Sequence, residues 1–163
     1  MPGIINEIVR PDITQTLFQI HAFAKNAQIV LMGYPPLISN DGSCLSFSVL
    51  GLPLIGLTSE STAWLNGTAA ALAGAMQGAA DDTKEQGVPV WFSNPTKGFE
   101  GQAVCGDPEQ VHGIVKTLTA SDGPAVDFPL LNRYGLSAQL LHPKIGGARL
   151  YANSLERTLR TGK

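Results

Sequence analysis

The sequence is poor in charged residues and has no long apolar runs, and each shortage excludes a class of protein. Charged residues make up 15% of the 163-residue chain, and the net charge of −2 comes without any basic cluster. Neither nucleic acid nor an anionic membrane surface is therefore indicated as a partner. Gly, Pro or polar residues interrupt every apolar run well before the ~20 residues of a membrane-spanning helix, so no transmembrane segment is predicted. With 44% apolar residues, the composition predicts a single globular domain over residues 1–163.

Cysteine is equally scarce, and the two present, Cys44 and Cys105, show no Cys-x-x-Cys spacing and no companion histidines. No zinc site is therefore predicted, and the residues alone leave open a disulfide or two buried free thiols. Walker, dinucleotide-binding and Gly-x-Ser-x-Gly motifs are also missing, and no metal or cofactor is predicted. Residues 1–3 do not begin a basic segment followed by an apolar one, so no signal peptide is visible.

The N-terminal part of the chain shows a helix pattern followed by a strand pattern. Asp12 and Gln15 form a capping box after a proline, which predicts a helix that begins there and ends at Asn26. His21 in this helix is interpreted as a partly buried structural histidine. The run Ile29–Met32 is short, apolar and continuous, which is typical of a parallel strand covered on both faces. One stripe of the helix is predicted to pack against a flat surface: Ile13, Leu17, Ile20 and Ala24.

A second helix and a second strand follow after a segment rich in Gly, Pro and Ser. Thr58 or Ser59 can cap a long alanine-rich helix that extends to about Glu85. The run Val88–Phe92 predicts a strand at a sheet edge, because Pro89 within it has no N–H to donate. The alternation of helices and strands indicates an α/β fold with a parallel sheet flanked by helices.

Two long loops contain most of the remaining candidates for chemistry. Residues 34–57 include Ser43, whose hydroxyl lacks the strand, turn and helix that usually surround a nucleophile. Residues 93–136 include His112, which is interpreted as a loop histidine with a local hydrogen bond. A glycosylation sequon at Asn66 falls inside a predicted helix and is interpreted as a chance match. Three loop carboxylates could orient a catalytic histidine, although turn formation explains most of them: Asp107, Asp122 and Asp127.

The strongest candidate for chemistry is His142, which stands at the end of a loop and directly before a helix. Pro143 stiffens the chain beside it, and Gly146 and Gly147 are expected to let the backbone turn sharply. A lone histidine in this position is also a common surface or capping residue, so the position alone does not establish a catalytic role. The final helix is predicted over residues 148–159, with one stripe facing the core: Ala148, Tyr151, Ala152, Leu155 and Leu159.

The segment around His142 resembles the C-terminal signature of the SGNH (GDSL-type) hydrolases, specifically the secreted actinobacterial esterases and lipases. In that branch the general-base histidine stands before a proline and a final helix. Three earlier segments resemble the same family in the same order. Residues 30–35 resemble its penultimate core strand and exit, residues 63–66 the start of its long helix, and residues 99–105 the loop with a disulfide cysteine.

Other parts of the family pattern have no counterpart in this sequence. Those enzymes carry a Gly-Asp-Ser nucleophile turn, and a glycine and a Gly-x-Asn block that form the oxyanion hole. All of these lie upstream of the strand that corresponds to residues 29–33. The resemblance therefore implies an SGNH-hydrolase (flavodoxin-like) fold that is incomplete in this chain, which would be the C-terminal portion of the domain.

The resemblance implies a serine-type carboxylic ester hydrolase in which His142 is the general base. Many members place an aspartate three residues before this histidine, but here that position is Gln139. A backbone carbonyl at this place orients the imidazole in some relatives, which assigns that role to Gln139 and implies a Ser-His dyad. The resemblance also implies a disulfide between Cys44 and Cys105, a secreted protein and an ester or lipid substrate.

A chain that contains the base without the nucleophile is expected to need a second segment. The expected partner is an N-terminal fragment, or a second copy of the chain paired through the open edge of the strand at residues 29–33. Two other functions remain open. The chain could be a non-catalytic binding or structural module that retains half of the hydrolase fold, or a self-contained hydrolase that uses one of its own serines.

Overall fold

The structure, a computed structural model, describes residues 2–39, 47–49, 52–55, 58–113, 115 and 137–162. Within these ranges the strands are Ile29–Met32 (β1), Phe47–Val49 (β2), Leu52–Ile55 (β3) and Val90–Ser93 (β4). The long helices are Arg10–Phe23 (α1), Ser59–Glu85 (α2) and Ile145–Thr161 (α3).

The central sheet pairs β1 with β4 in parallel, in a register that matches Ile29 with Val90 and Met32 with Ser93. Helix α2 connects the two strands, as a parallel pair requires. Side chains alternate between the faces of a strand, and those of Val90 and Phe92 pack with α1 and α2. On the opposite face, the Ser93 hydroxyl is 3.0 Å from the hydroxyl of Ser154 in α3. The predicted α/β fold with helices flanking a parallel sheet is therefore confirmed.

The two strands predicted for the parallel sheet are close to the observed ones. β1 has the predicted bounds, whereas β4 begins two residues later than predicted and includes Ser93. The segment predicted as a structured loop contains β2 and β3, which pair as an antiparallel hairpin. Strands this short have too few residues to show an alternating apolar pattern, and the surrounding Gly, Pro and Ser obscured them.

The N-terminal helix begins earlier than predicted. An α-helical turn, Pro2–Ile4, and a π-helical segment, Ile5–Val9, lead directly into α1. Asp12 therefore lies in the first turn of α1 and does not cap the helix. Pro11 has no N–H for a bond to the preceding turn, and the adjacent π-helical segment accommodates this loss without ending the helix.

Helix α2 begins where its sequence predicts. The Thr58 hydroxyl accepts a hydrogen bond from the Ser61 N–H at 3.1 Å, and Gly87 adopts φ +87° after the helix ends. The Asn66 side chain is engaged with the backbone of Ile38, since its amide donates to the Ile38 carbonyl at 2.7 Å. This helical, hydrogen-bonded asparagine agrees with the interpretation of its sequon as a chance match.

The described core consists of two apolar clusters, one packed on the sheet and one beyond the ends of its strands. The first lies between α1, α2 and the sheet, around Leu17, Ala80, Val88 and Val90. The second lies beyond the carboxyl ends of β1 and β4. It consists of Ile38, Phe99, Val104 and Val111, with partly buried side chains packed around it, among them Leu150 and Tyr151 of α3.

The face that α3 turns to the core matches the predicted stripe only in part, through the partly buried Tyr151 and Leu155. Ala148 and Ala152 are exposed and Leu159 is 41% exposed, whereas Gly147 and Ser154 are buried. Close packing explains the difference, because small residues let the helix approach its neighbours. A side-chain carbon on Gly147 would collide with the Gln110 carbonyl oxygen, and one on Gly146 with the Gln110 side chain. The two glycines therefore lie in the first turn of α3 and permit close contact, and the predicted sharp turn does not occur at them.

Candidate functional site

The loop that carries His142, residues 137–144 and called the histidine loop below, is attached to the core by a short antiparallel pairing. Val111 and Pro143 form a β-bridge, and the Lys144 N–H donates to the Gln110 carbonyl at 2.8 Å. Val111 is 3% exposed and belongs to the second apolar cluster. The position of His142 is therefore set by a buried residue that lies far from it in the sequence.

A bulge in this pairing places His142. The Leu141 N–H donates to the His112 carbonyl at 3.0 Å, and the His112 N–H donates to the His142 carbonyl at 2.8 Å. Leu141 and His142 thus lie opposite the single residue His112. Leu141 has φ +59°, which is the left-handed conformation of a G1-type bulge. Glycine usually occupies this position, because a side chain in that conformation is strained. A strained residue directly before a candidate catalytic residue supports a functional role for the loop.

The preceding turn places the Gln139 carbonyl beside His142. The His142 N–H donates to this carbonyl at 3.0 Å, so the main chain, and not the imidazole, makes the described contact. The turn is anchored by Ser137, which is fully buried and whose hydroxyl accepts from the Gln139 N–H at 3.1 Å. A carbonyl oxygen has two lone pairs and can accept more than one hydrogen bond.

The loop lies at the carboxyl-terminal edge of the sheet. The chain leaving β1 reaches Ile38, which bridges in parallel to Val104 after β4 has ended. Phe99, on the 3-10 helix Thr96–Phe99 that follows β4, packs with both residues and with Val111. His142 itself is exposed to solvent. In open α/β sheets this edge is where ligands bind.

A cavity of about 510 Å³ opens at the same edge. Its walls are formed by residues that follow the carboxyl ends of the two parallel strands: Pro36, Asn94, Thr96, Lys97 and Glu100. Its volume is within the range of small-molecule sites in proteins, but His142 is not among the described residues that line it.

The carboxylate that reaches the histidine loop is Glu109. One carboxylate oxygen accepts from the Lys144 ammonium at 2.6 Å, and the other accepts from the Cys105 N–H at 3.1 Å. Burial acts to raise the pKa of Glu109, but these two hydrogen bonds and the charges of Lys144 and His112 outweigh it and hold the pKa below 4.5. Glu109 is therefore ionised at neutral pH, and the ion pair breaks only as the pH falls below 4.5 through the lowered pKa.

The half-buried phenol near the site is Tyr151 of α3. Its ring makes an edge-on contact with Phe99, with the ring centroids 5.2 Å apart. Burial, together with the nearby Tyr34, raises the pKa of Tyr151 to about 12. This phenol stays protonated at neutral pH and contributes packing.

The remaining histidines, and the one candidate aspartate within the described residues, do not share the environment of His142. His112 is half-buried and joins the loop pairing through its backbone, as the bulge requires. His21 is half-buried and its Nδ1 atom is buried without a hydrogen-bond partner, which agrees with its structural interpretation. Asp107 is exposed, and its N–H donates to the Gly101 carbonyl at 3.0 Å. Some candidates lie outside the described residues: Ser43, Cys44, Asp122 and Asp127.

Cys105 has a constrained backbone in the loop that contacts Glu109, with φ +65°. None of the cysteines in the described ranges is a free thiol. Across the same ranges, no group of three or more His, Cys, Asp and Glu residues is arranged to hold a metal ion. None of the helices found there combines the length and the apolar character that crossing a bilayer requires.

Two solved structures share this architecture over 96% of the chain. One is an extracellular lipase from Streptomyces rimosus, with a TM-score of 0.63 and 20% identity. The other is phospholipase A1 from Streptomyces albidoflavus NA297, with a TM-score of 0.65 and 18% identity. The chain therefore shares the fold of these two enzymes, as the resemblance to the SGNH hydrolases implied. It spans 53% of the length of each neighbour. No family model and no curated protein sequence matches the chain.

Sequence reasoning missed Glu109 and the bulge at Leu141. Glu109 and Lys144 are 35 residues apart, and Glu109 lies in a loop without periodicity. The bulge depends on the pairing with His112, which no local pattern encodes. Proximity to His142 in the sequence was the only available signal for Leu141 and Lys144.

Proposed function

We propose that this chain supplies the general base, His142, of a serine-type carboxylic ester hydrolase whose nucleophile comes from residues outside the sequence. One observation carries the proposal: a strained bulge holds His142 at the carboxyl-terminal edge of a fold shared with Streptomyces lipases. The proposed substrate class is a carboxylic ester, including lipid esters. One neighbour is described as a lipase and the other as a phospholipase A1.

In the proposed reaction, the His142 imidazole removes the proton of a serine hydroxyl as the serine oxygen attacks the ester carbonyl carbon. The resulting imidazolium then protonates the oxygen of the departing alcohol, and an acyl-enzyme remains. Water, deprotonated by the same imidazole, attacks the acyl carbon, and the returned proton regenerates the serine. A hydroxyl is too weak an acid to attack without such a base.

The Gln139 carbonyl is proposed to orient the imidazole by accepting from its Nδ1–H. This leaves Nε2 free to take the serine proton, which is the tautomer that the reaction requires. The carbonyl already accepts from the His142 main-chain N–H at 3.0 Å, so the turn holds it beside the base. No carboxylate is assigned to this task, and the proposed arrangement is a Ser-His dyad.

The proposed partner adds a strand beside β1. The N–H groups of Ile29 and Gly33 each donate toward β4 at 2.9 Å, so alternation directs those of Val30 and Met32 to the opposite edge. No described residue pairs with that edge. All four β1 residues are only partly buried, although parallel strands are normally covered. We propose that an N-terminal segment of the hydrolase domain occupies the edge, with self-association of the chain as the competing arrangement.

Secretion and a Cys44–Cys105 disulfide belong to the same proposal. The described part of the chain contains no free thiol, and one of the structural neighbours is an extracellular protein. A disulfide would persist in an oxidising, extracellular environment. It would tie the loop of Cys105, which Glu109 contacts, to the segment that follows β1.

A fluorophosphonate probe tests the proposed function, because it reacts covalently with activated serines. The experiment uses this chain alone and the complete gene product or complex that contains it, with the labelled residue located by mass spectrometry. We expect labelling only in the larger assembly, at a serine outside residues 1–163. Labelling of a serine within this chain would instead establish a self-contained hydrolase. If neither the chain nor the larger assembly is labelled, the chain is a non-catalytic module.

A further inference from the structure

We propose that Glu109 is a positioning residue for His142, acting through Lys144 and the paired segment 109–112. The effect of Glu109 on catalysis rests on the proposed function. Its structural part, that Glu109 fixes the conformation of the histidine loop, can be measured without any activity.

Glu109 joins two loops through the two oxygens of one carboxylate. Toward the histidine loop it accepts from the Lys144 ammonium at 2.6 Å, and toward the preceding loop it accepts from the Cys105 N–H at 3.1 Å. The Glu109 and Lys144 side chains are only 29% and 35% exposed, so solvent screens this pair less than a surface pair. Both oxygens are thus engaged at a partly buried position between loops.

Anchoring Lys144 constrains His142 because Pro143 separates them. The proline ring fixes φ of that residue, so the short connection has little freedom once Lys144 is held. The main chain of Lys144 is held as well, since its N–H donates to the Gln110 carbonyl at 2.8 Å. Glu109 and Gln110 are adjacent, so the same segment holds both the side chain and the backbone of Lys144.

The bulge is the element that needs this support. Leu141 adopts φ +59°, which a leucine leaves unless its surroundings hold it there. On one side it is held by hydrogen bonds to His112, and on the other by the anchored segment from Pro143 to Lys144. Loss of the Glu109 contacts is therefore expected to loosen the bulge and, with it, the direction of the imidazole.

Native-state hydrogen exchange of Glu109→Gln tests the structural part in the full chain at pH 7. The amides of Leu141, His142 and Lys144 are the reporters, because each donates a backbone hydrogen bond in the loop. We expect their exchange to accelerate about tenfold, while amides of β4 exchange as before. Lys144→Met is expected to reproduce the effect, and Lys144→Arg, which retains the charge, to keep the protection. Unchanged loop exchange, or equal acceleration throughout the chain, would overturn the inference.

Glu156→Gln is the matched control for removing one carboxylate. Glu156 pairs with Arg160 one turn along α3 at 3.3 Å, with both side chains mostly exposed, and it lies on α3, outside the histidine loop. In the Glu156→Gln variant, the amides of the histidine loop are expected to exchange as in the unmodified protein. Acceleration equal to that of Glu109→Gln would show that general charge loss is responsible and would contradict the inference.

Kinetics of the assembled enzyme then separate positioning from general stability. Glu109→Gln is expected to lower kcat about tenfold with little change in KM, and to leave the melting temperature nearly unchanged. If the loop amides respond but no ester hydrolysis is found in any assembly, the proposed function fails and the conformational role of Glu109 stands. If hydrolysis is present and its kcat is unaffected by Glu109→Gln, the positioning role fails and the proposed function stands.

Discussion

His142→Ala is expected to lower kcat for ester hydrolysis by the assembled enzyme by about 10²- to 10⁴-fold, the usual contribution of a general base. KM should change little, because the imidazole acts on the serine proton and does not carry the binding of the ester. The fold should survive the substitution, since the His142 side chain is exposed. Hydrolysis of a p-nitrophenyl ester, followed with purified variants at equal concentration, measures the effect.

His21→Ala is the matched control for this substitution. His21 lies in α1, outside the second apolar cluster and the histidine loop, and its buried Nδ1 has no hydrogen-bond partner to lose. Its kcat should equal that of the unmodified enzyme. A His142→Ala variant that retains full activity would exclude His142 as the base and favour a non-catalytic module or a different residue.

Phe99→Ala is expected to lower the free energy of unfolding by about 3–5 kcal/mol, the usual cost of removing a buried aromatic ring. Phe99 is 0% exposed and packs with Ile38, Val104 and Val111. It also makes an edge-on contact with the ring of Tyr151. The loss follows from removing this apolar contact area and leaving a cavity that close-packed neighbours cannot fill.

Phe23→Ala gives the matched control, because the same ring is removed where it is 94% exposed. It should change the free energy of unfolding by no more than about 0.5 kcal/mol. Urea titrations of both variants, monitored by circular dichroism, compare them directly. Equal effects for Phe99 and Phe23 would contradict the burial of Phe99 and the packing of the second apolar cluster. Since Val111 bridges to Pro143, the Phe99 variant should also loosen the histidine loop.

The elements that could be predicted from the sequence are those with strong local signals. β1 is a continuous apolar run, and the start of α2 has a capping hydroxyl at Thr58 that engages the Ser61 N–H at 3.1 Å. The bounds of β1 and the start of α2 depend on residues close to them in the sequence. The α/β class followed from the alternation of such elements, and the resemblance around His142 indicated the more specific SGNH fold.

Two helix predictions were wrong, wholly or in part, for different reasons. The start of α1 was misplaced because Asp12 offers a capping pattern in a chain that is already helical. The buried face of α3 was predicted only in part: Tyr151 packs on the core as expected, but close approach to Gln110 selects the small Gly147 for burial. The contact between Gln110 and Gly147 is visible only in the three-dimensional arrangement.

In the candidate site, too, only the residue with a local sequence signal could be predicted. His142 could be found because a His-Pro pair before a helix is a local pattern that resembles a known family. Glu109 and the bulge of Leu141 opposite His112 could not be found, because both depend on a pairing across a long loop. Sequence reasoning thus identified the proposed base, and the structure revealed what holds it.

A crystal structure of the assembled, uninhibited enzyme tests the central claim most directly. The decisive distance joins the Nε2 atom of His142 to the Oγ atom of the serine that the fluorophosphonate probe labels. We expect the two atoms to lie within hydrogen-bond reach, about 2.6–3.2 Å, with Nδ1 directed at the Gln139 carbonyl. An imidazole that points away from that serine, or lies too far away to share a proton with it even through one water, would contradict the claim.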